Sequence, residues 1–313
     1  MPQTYLIEPH WANWMVTLEM FVAGLAAGVF FFIALANIVG SREDREVASR
    51  LGVLPAPLMV LVAILLTADL GEPFRFLNLI FTHPSAAERP GPFMLNPNSP
   101  MNWGTYTILI FGVLTIIPFL DALRHAGRLR VGGTIVEALA HNPVGMVVAA
   151  LFALATAAYS GVLVNVTNQA VWSDTYVLGG LYVAFSVLSG FAAAAIVADR
   201  MRARETAGVV RSGLISTAAV AGVLIALFVG NLVALGAAAP LIAATTALVA
   251  PVFWVGAVGL AILYPIVVLS TTPRLALARV QVSQLAVVGI VVLLGVLAFR
   301  YSLLYSALAA VSP

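Results

Sequence analysis

Eight stretches of the chain run long and apolar, with charge almost confined to their ends: about 13–39, 52–70, 101–123, 143–166, 175–198, 211–235, 247–270 and 281–305. A bilayer's hydrocarbon core takes about 20 apolar residues of helix, so each stretch can cross it. The pattern predicts an all-α integral membrane protein with eight transmembrane helices, a single polytopic domain over residues 1–313. A ninth apolar stretch, 236–250, is rich in Ala, Gly and Pro and reads as a short interfacial connection ahead of the seventh helix.

The polar segments between the spans set an orientation. Alternate loops hold Arg42, Arg45 and Arg50; Arg124, Arg128 and Arg130; Arg200, Arg202, Arg204 and Arg211; and Arg274 with Arg279. The opposite face has Arg75 and Arg89 in its loops and Arg300 near a helix end. Arginine gathers on the cytoplasmic side, so both termini are expected outside, as an even number of spans requires. Trp11, Trp14, Trp103, Trp172 and Tyr176 fall near that outer interface, where amphipathic rings settle. The longest connection, about 71–100, also faces outside. It is rich in Pro and Asn, yet carries Phe74, Phe76, Leu77, Leu79, Ile80 and Phe81, which suit a segment lying along the membrane as a docking platform.

Composition narrows the chemistry. The chain is 62% hydrophobic and 9% charged, with a mean hydropathy of +1.04, whereas soluble domains are about 25% charged. The basic pI comes from loop arginines and points to no nucleic acid. Cysteine is absent, which removes disulfides, thiolate chemistry and cysteine-ligated iron–sulfur clusters. His10 and His83 are placed outside, and His125 and His141 beside an inner loop. None is in mid-span, so a haem held between two histidines is disfavoured. The start of the chain, with Glu8, no basic run and no small-residue cleavage site, does not read as a signal peptide. Any electron transfer would therefore use a partner's cofactors and a mobile carrier.

Few polar residues interrupt the spans. Glu19 is about 9 Å inside the outer end of the first helix, at 1.5 Å per residue. Asp69 closes the second, and Tyr159 is about 10 Å from the outer end of the fourth. Ser99 and Trp103 open the third on the same face. A carboxylate in or near a bilayer is a candidate for proton or substrate chemistry, and shared depth predicts one pocket. The plainer alternatives are a Glu19 that pairs with a loop arginine or takes a proton and packs, an Asp69 capping the next turn or holding Arg75, and a Tyr159 that only packs. Gly24 and Gly28 form a small-xxx-small pair that suits close helix packing. Asp121, Glu137 and His141 read as ordinary residues of the inner interface. Quinol oxidation releases two protons and two electrons. A site for it needs proton-handling groups at the quinone carbonyls, an apolar slot open to lipid, and a redox centre nearby.

Four motifs, in order, resemble a known family: Trp14 with Gly24-Leu25-Ala26-Ala27-Gly28; Asp69-Leu70-Gly71-Glu72-Pro73-Phe74-Arg75-Phe76; Ser99-Pro100-Met101-Asn102-Trp103-Gly104; and Tyr159-Ser160-Gly161-Val162-Leu163 followed by Trp172 and Ser189-Gly190. Together they look like the NrfD/PsrC family, the quinone-reactive membrane subunits of polysulfide reductase and related complexes. The motifs cover about residues 10–195, and the last three helices match only in length and hydropathy. The resemblance implies a quinone-site bundle over 10–198, with additional C-terminal helices over 199–313. It implies menaquinone or ubiquinone as substrate, bound by Glu19, Asp69, Tyr159, Ser99 and Trp103, with Glu19 and Asp69 transferring protons. Tyr159 falls on the family's quinone-contacting tyrosine. Glu19 stands where polysulfide reductase has a histidine, and Val16 where it has an asparagine; a glutamate can exchange the same proton. A ferredoxin-like iron–sulfur subunit and a catalytic, molybdopterin-containing subunit would dock on the outer face, with Arg75, His83 and Arg89 as docking residues. Such complexes occupy the bacterial or archaeal cytoplasmic membrane, and some move protons across it. A secondary transporter is the alternative. It would predict internal repeats and matching broken helices, whereas no repeat is evident and the polar residues crowd into the first half. A purely structural anchor is a third possibility.

Overall fold

The computed structural model describes residues 12–81, 93, 96, 98–129, 133–242, 248–271 and 283–311. Within them all eight apolar stretches are long helices: α1 (Trp14–Val39), α2 (Arg42–Asp69), α3 (Pro100–His125), α4 (Pro143–Asn165), α5 (Leu178–Met201), α6 (Arg204–Ala234), α7 (Val249–Thr271) and α8 (Gln284–Ala310). The sole β feature among the described residues is an isolated antiparallel bridge between Phe81 and Phe93. Helices dominate because a backbone crossing hydrocarbon must satisfy its own polar groups.

The helix starts follow local chemistry. Asn13 caps α1, its side-chain oxygen accepting from the Met15 and Val16 amides. Ser41 and Asp44 form a reciprocal capping box at the start of α2. Ser99 and Asn142 cap α3 and α4, each followed by a proline whose missing N–H is no loss in a first turn. α2 starts earlier than the hydropathy suggests: Arg42–Leu51 is a charged, amphipathic segment leading into the apolar Pro55–Asp69. α6 likewise starts at Arg204 rather than near 211, because the Glu43 carboxylate accepts from the Arg204, Glu205 and Thr206 amides. A carboxylate suits the positive end of a helix. In the 236–250 stretch, Ala239–Ile242 forms one short turn of helix.

α1 and α5 are the central pair, and their apolar windows are 67% and 78% buried, against 39% or less for α2, α3, α4, α6 and α7. Gly28 on α1 and Gly190 on α5 let the two backbones touch, since a Cβ on either would overlap the other helix's main chain. α2, α3 and α4 gather on one side of α1, around Phe30, Phe111, Val62 and Ala153. α6, α7 and α8 gather around α5 on the other side, with Phe185 and Phe299 stacked at 4.0 Å. Exposed Val, Leu and Ile on the outward faces are the lipid-facing surface.

The arginine-bearing turns after α1, α3 and α5 meet at one end of this bundle. Glu43 ties the α1–α2 turn to the start of α6, and Arg124 pairs with Glu137 across the α3–α4 connection. The opposite end holds Asn13, Asp69 and the start of α3.

Candidate functional site

Glu19, on the second turn of α1, is 5% exposed and accepts no hydrogen bond among the described residues. It is within electrostatic reach of Asp69 on α2, Tyr159 on α4, Tyr182 on α5 and Arg300 on α8. Five helices thus contribute ionisable groups to the neighbourhood of Glu19. Asp69 and Tyr159, predicted to share its depth, are both among them, and no hydrogen bond joins the three among the described residues.

Asp69 is half-buried and its Oδ1 accepts from Asn13 Nδ2 at 2.7 Å. Neither predicted alternative holds for it: its partner is Asn13, and no ion pair with Arg75 forms among the described residues. The bond locks the start of α1 to the end of α2 through an Asn that also caps α1. Its second carboxylate oxygen has no partner among the described residues. Tyr159 is half-buried, its ring seated directly on Gly104 of α3, where any side chain would collide. Its hydroxyl makes no hydrogen bond among the described residues.

Ser99 accepts from the Asn102 amide at 3.3 Å and caps α3. Trp103 is 54% exposed at the rim, two residues after the exposed Met101. Asn102, unassigned from the sequence, is 4% exposed and pins the long connection: it donates to the Leu79 carbonyl at 2.8 Å and accepts from the Asn96 amide at 2.9 Å. Tyr106 adds a bond to the Ile80 carbonyl. A polar residue two positions inside a capped helix start, facing a long loop, was the available signal. Of the proposed docking residues, Arg75 is exposed on a 3-10 turn, Pro73–Leu79, beside an 83% exposed Phe74. His83 and Arg89 lie outside the described residues.

Arg300 departs most from expectation. It was placed near a helix end at the outer face; it is 1% exposed, inside the bundle. The helix carrying it continues to Val311, so about 16 Å of helix lies beyond it at 1.5 Å per residue. Its Nη2 donates to the Tyr182 carbonyl at 3.2 Å and to Ser186 Oγ at 2.9 Å, and its guanidinium lies 3.8 Å over the Tyr182 ring. Trp172, fully buried, bonds the Leu303 carbonyl one turn further along α8. Glu19, expected to pair with a loop arginine if it paired at all, forms no ion pair among the described residues, and the arginine within its electrostatic reach is Arg300 on another span.

Asp121, Glu137 and His141 form a second polar group at the arginine-rich end. Arg124 reaches Asp121 at 3.5 Å and Glu137 at 3.2 Å; His125 and His141 lie 3.4 and 3.8 Å from the Asp121 carboxylate. His141 also contacts Asn37 at 2.9 Å, and a pocket lined by Asn37, Arg45, Asp121 and His141 opens there. Asp121 is 5% exposed, so this is a built cluster and not a set of separate surface residues. Between it and Glu19 lies a packed apolar layer with Ala26, Ala27, Phe30, Phe111 and Ala153.

Compared with known families, residues 7–312 match the profile described as "Polysulphide reductase, NrfD". The match extends past residue 195, where the motifs stop, through the last three helices. No curated protein matched the chain.

Proposed function

The chain belongs to the NrfD polysulphide reductase family, and from that premise we propose that it is the quinone-reactive membrane subunit of a respiratory oxidoreductase. The observation that carries this reading is the meeting of Glu19, Asp69 and Tyr159, from three helices, at one end of the bundle. Each has an oxygen with no hydrogen-bond partner among the described residues. These are the group types that hold a quinone carbonyl and exchange its protons. α3 leans mainly on α4 and touches α2 lightly, which suits lateral entry from lipid beside Trp103.

In this reading, quinol bound between α2, α3 and α4 yields two protons and two electrons, and the reverse reaction takes them up. Glu19 and Asp69 accept or return the protons. The Tyr159 hydroxyl donates to a carbonyl and fixes the ring, and Gly104 leaves room for the tyrosine itself. Electrons pass to iron–sulfur clusters in a docked partner, because the chain has no cysteine. The 71–100 connection, pinned by Asn102 and Tyr106, is the landing surface, and a molybdopterin subunit completes the complex. The cluster-bearing side is the periplasmic or equivalent face.

The Asp69–Asn13 bond favours a second reading, in which Asp69 is a framework residue of a structural anchor. Glu19→Gln and Tyr159→Phe separate the two, since neither touches that bond. In the intact complex both variants should assemble and lose quinol-linked electron transfer by about 10²-fold, the scale of a lost proton-transfer group. Normal turnover in both would leave the anchor reading standing. A neighbouring gene for a ferredoxin-like protein with repeated Cys-x-x-Cys motifs would support the first reading.

A further inference from the structure

The start of α3 is held from two sides. Asn102, in its first turn, is 4% exposed and commits both halves of its amide to the outer connection: Nδ2 donates to the Leu79 carbonyl at 2.8 Å and Oδ1 accepts from the Asn96 amide at 2.9 Å. One turn on, the Tyr106 hydroxyl donates to the Ile80 carbonyl at 2.9 Å. Phe81 and Phe93, joined by the antiparallel bridge and stacked at 5.8 Å, close the same neck just beyond. Both strands of the neck are thereby gathered onto one helix start, and the buried Asn102 satisfies its own polar groups in doing so.

At about 100° per residue, Tyr106 shares the Asn102 side of α3, whereas Gly104 points about 160° away from it. On that far side the Tyr159 ring of α4 rests against bare helix backbone, and a Cβ at Gly104 would overlap the ring. The helix is therefore clamped between the neck of the connection and Tyr159, with no side chain to cushion the second contact. A close-packed contact of this kind transmits displacement instead of absorbing it. α3 is otherwise lightly held, its apolar window 28% buried, so the clamp governs where its outer end sits.

We propose that Asn102 and Gly104 are positioning residues for the proposed quinone site. The first two turns of α3 act as a rigid spacer that sets the neck of the outer connection against Tyr159, so a partner seated on the connection stands in register with a quinone held at the tyrosine. Electron transfer falls steeply with distance, and a misplacement of about 1 Å at a reacting centre can cost about 10²-fold. The spacer meets that demand with a contact on each side: side-chain amide to loop backbone, and helix backbone to aromatic ring. Its role in turnover rests on the quinone-site reading, while the coupling of neck to Tyr159 is a property of the chain alone.

Two measurements test this, and the first needs no quinone. Hydrogen exchange of the full-length chain in lipid follows the hydrogen-bonded amides of the neck, Ile80, Phe81 and Asn96. Gly104→Ala should speed their exchange by about tenfold, the scale of a local overpacking cost. Added to Tyr159→Ala it should speed them no further, since the ring it strikes is gone. Neck exchange unmoved by Gly104→Ala, or raised equally in both backgrounds, overturns the proposal. In the intact complex, Gly104→Ala and Tyr106→Phe should each slow quinol-linked transfer by about tenfold, as a displaced reacting group does. Neither loss should multiply with that of Tyr159→Phe, whereas a general structural fault would. Losses that multiply overturn the role in turnover. Where Gly104→Ala does not fold, Tyr106→Phe, which takes away the bond to the Ile80 carbonyl, decides the matter by the same rule. Faster neck exchange in Gly104→Ala with normal transfer in Tyr159→Phe would uphold the coupling and sink the quinone-site reading.

Discussion

Asn13 shows how much a single side chain does at this site. Its carbonyl oxygen caps α1 and its amide nitrogen holds Asp69, so one residue fixes both a helix start and the placing of a candidate proton acceptor. Asn13→Ala should lower thermal stability of the full-length chain in detergent by about 2 kcal/mol, the upper part of the range for a lost cap. Asn13→Asp keeps the cap but sets a carboxylate against Asp69. It should still lower stability, because the amide that held Asp69 is gone and two carboxylates face each other. Equal stability of both variants and the unaltered chain would show that the bond is incidental. The sequence did carry the signal for Asn13: an Asn immediately before an apolar run is a helix start. Its second role was not readable, since Asp69 is 56 positions away.

At the scale of elements, glycine placement decides which helices come together. Gly28 lies against Ser186 and Gly190 of α5, so Gly28→Val must push apart the two most buried helices. It should destabilise by about 3 kcal/mol or more, as overpacking does at a tight contact. Gly112→Ala on α3 is the control. Open space surrounds that position, and no loss is expected there. A similar loss in both would mean that contact with α5 does not govern these sites, since alanine is a better helix former than glycine and should cost nothing in open space. The small-xxx-small spacing of Gly24 and Gly28 announced close packing, yet only the fold separates their tasks: Gly28 touches backbone, while Gly24 makes room for Arg300. α7 was legible as a span but not in its form. Over Val252–Leu263 it takes wide π-helical turns, with Gly256 against Ala298 and Ala261 against Gly295 of α8. Its apolar sequence fits a regular helix equally well.

For the whole molecule, the absence of cysteine makes orientation directly measurable. Ala126 and Asn168 are exposed in the turns after α3 and α4, at opposite ends of the bundle. In intact cells, Asn168→Cys should react with a membrane-impermeant maleimide and Ala126→Cys should not until the membrane is opened. The reverse pattern would invert the proposed orientation and move the docking face to the cytoplasm. By itself the sequence determined the membrane class, the eight spans and which turns share an end. Those follow from the length of apolar runs and the placing of charge, and both are local properties read residue by residue. It also brought Glu19, Asp69 and Tyr159 to one depth, because depth is a count along a helix. Only the tertiary structure decided what each side chain faces around the helix axes: Asp69 held by Asn13, Tyr159 seated on Gly104, Asp121 gathered with two histidines, and Arg300 turned inward onto Tyr182 and Ser186. In spans that are apolar on every side, hydropathy carries little record of rotation, so azimuth is set by how neighbouring helices pack.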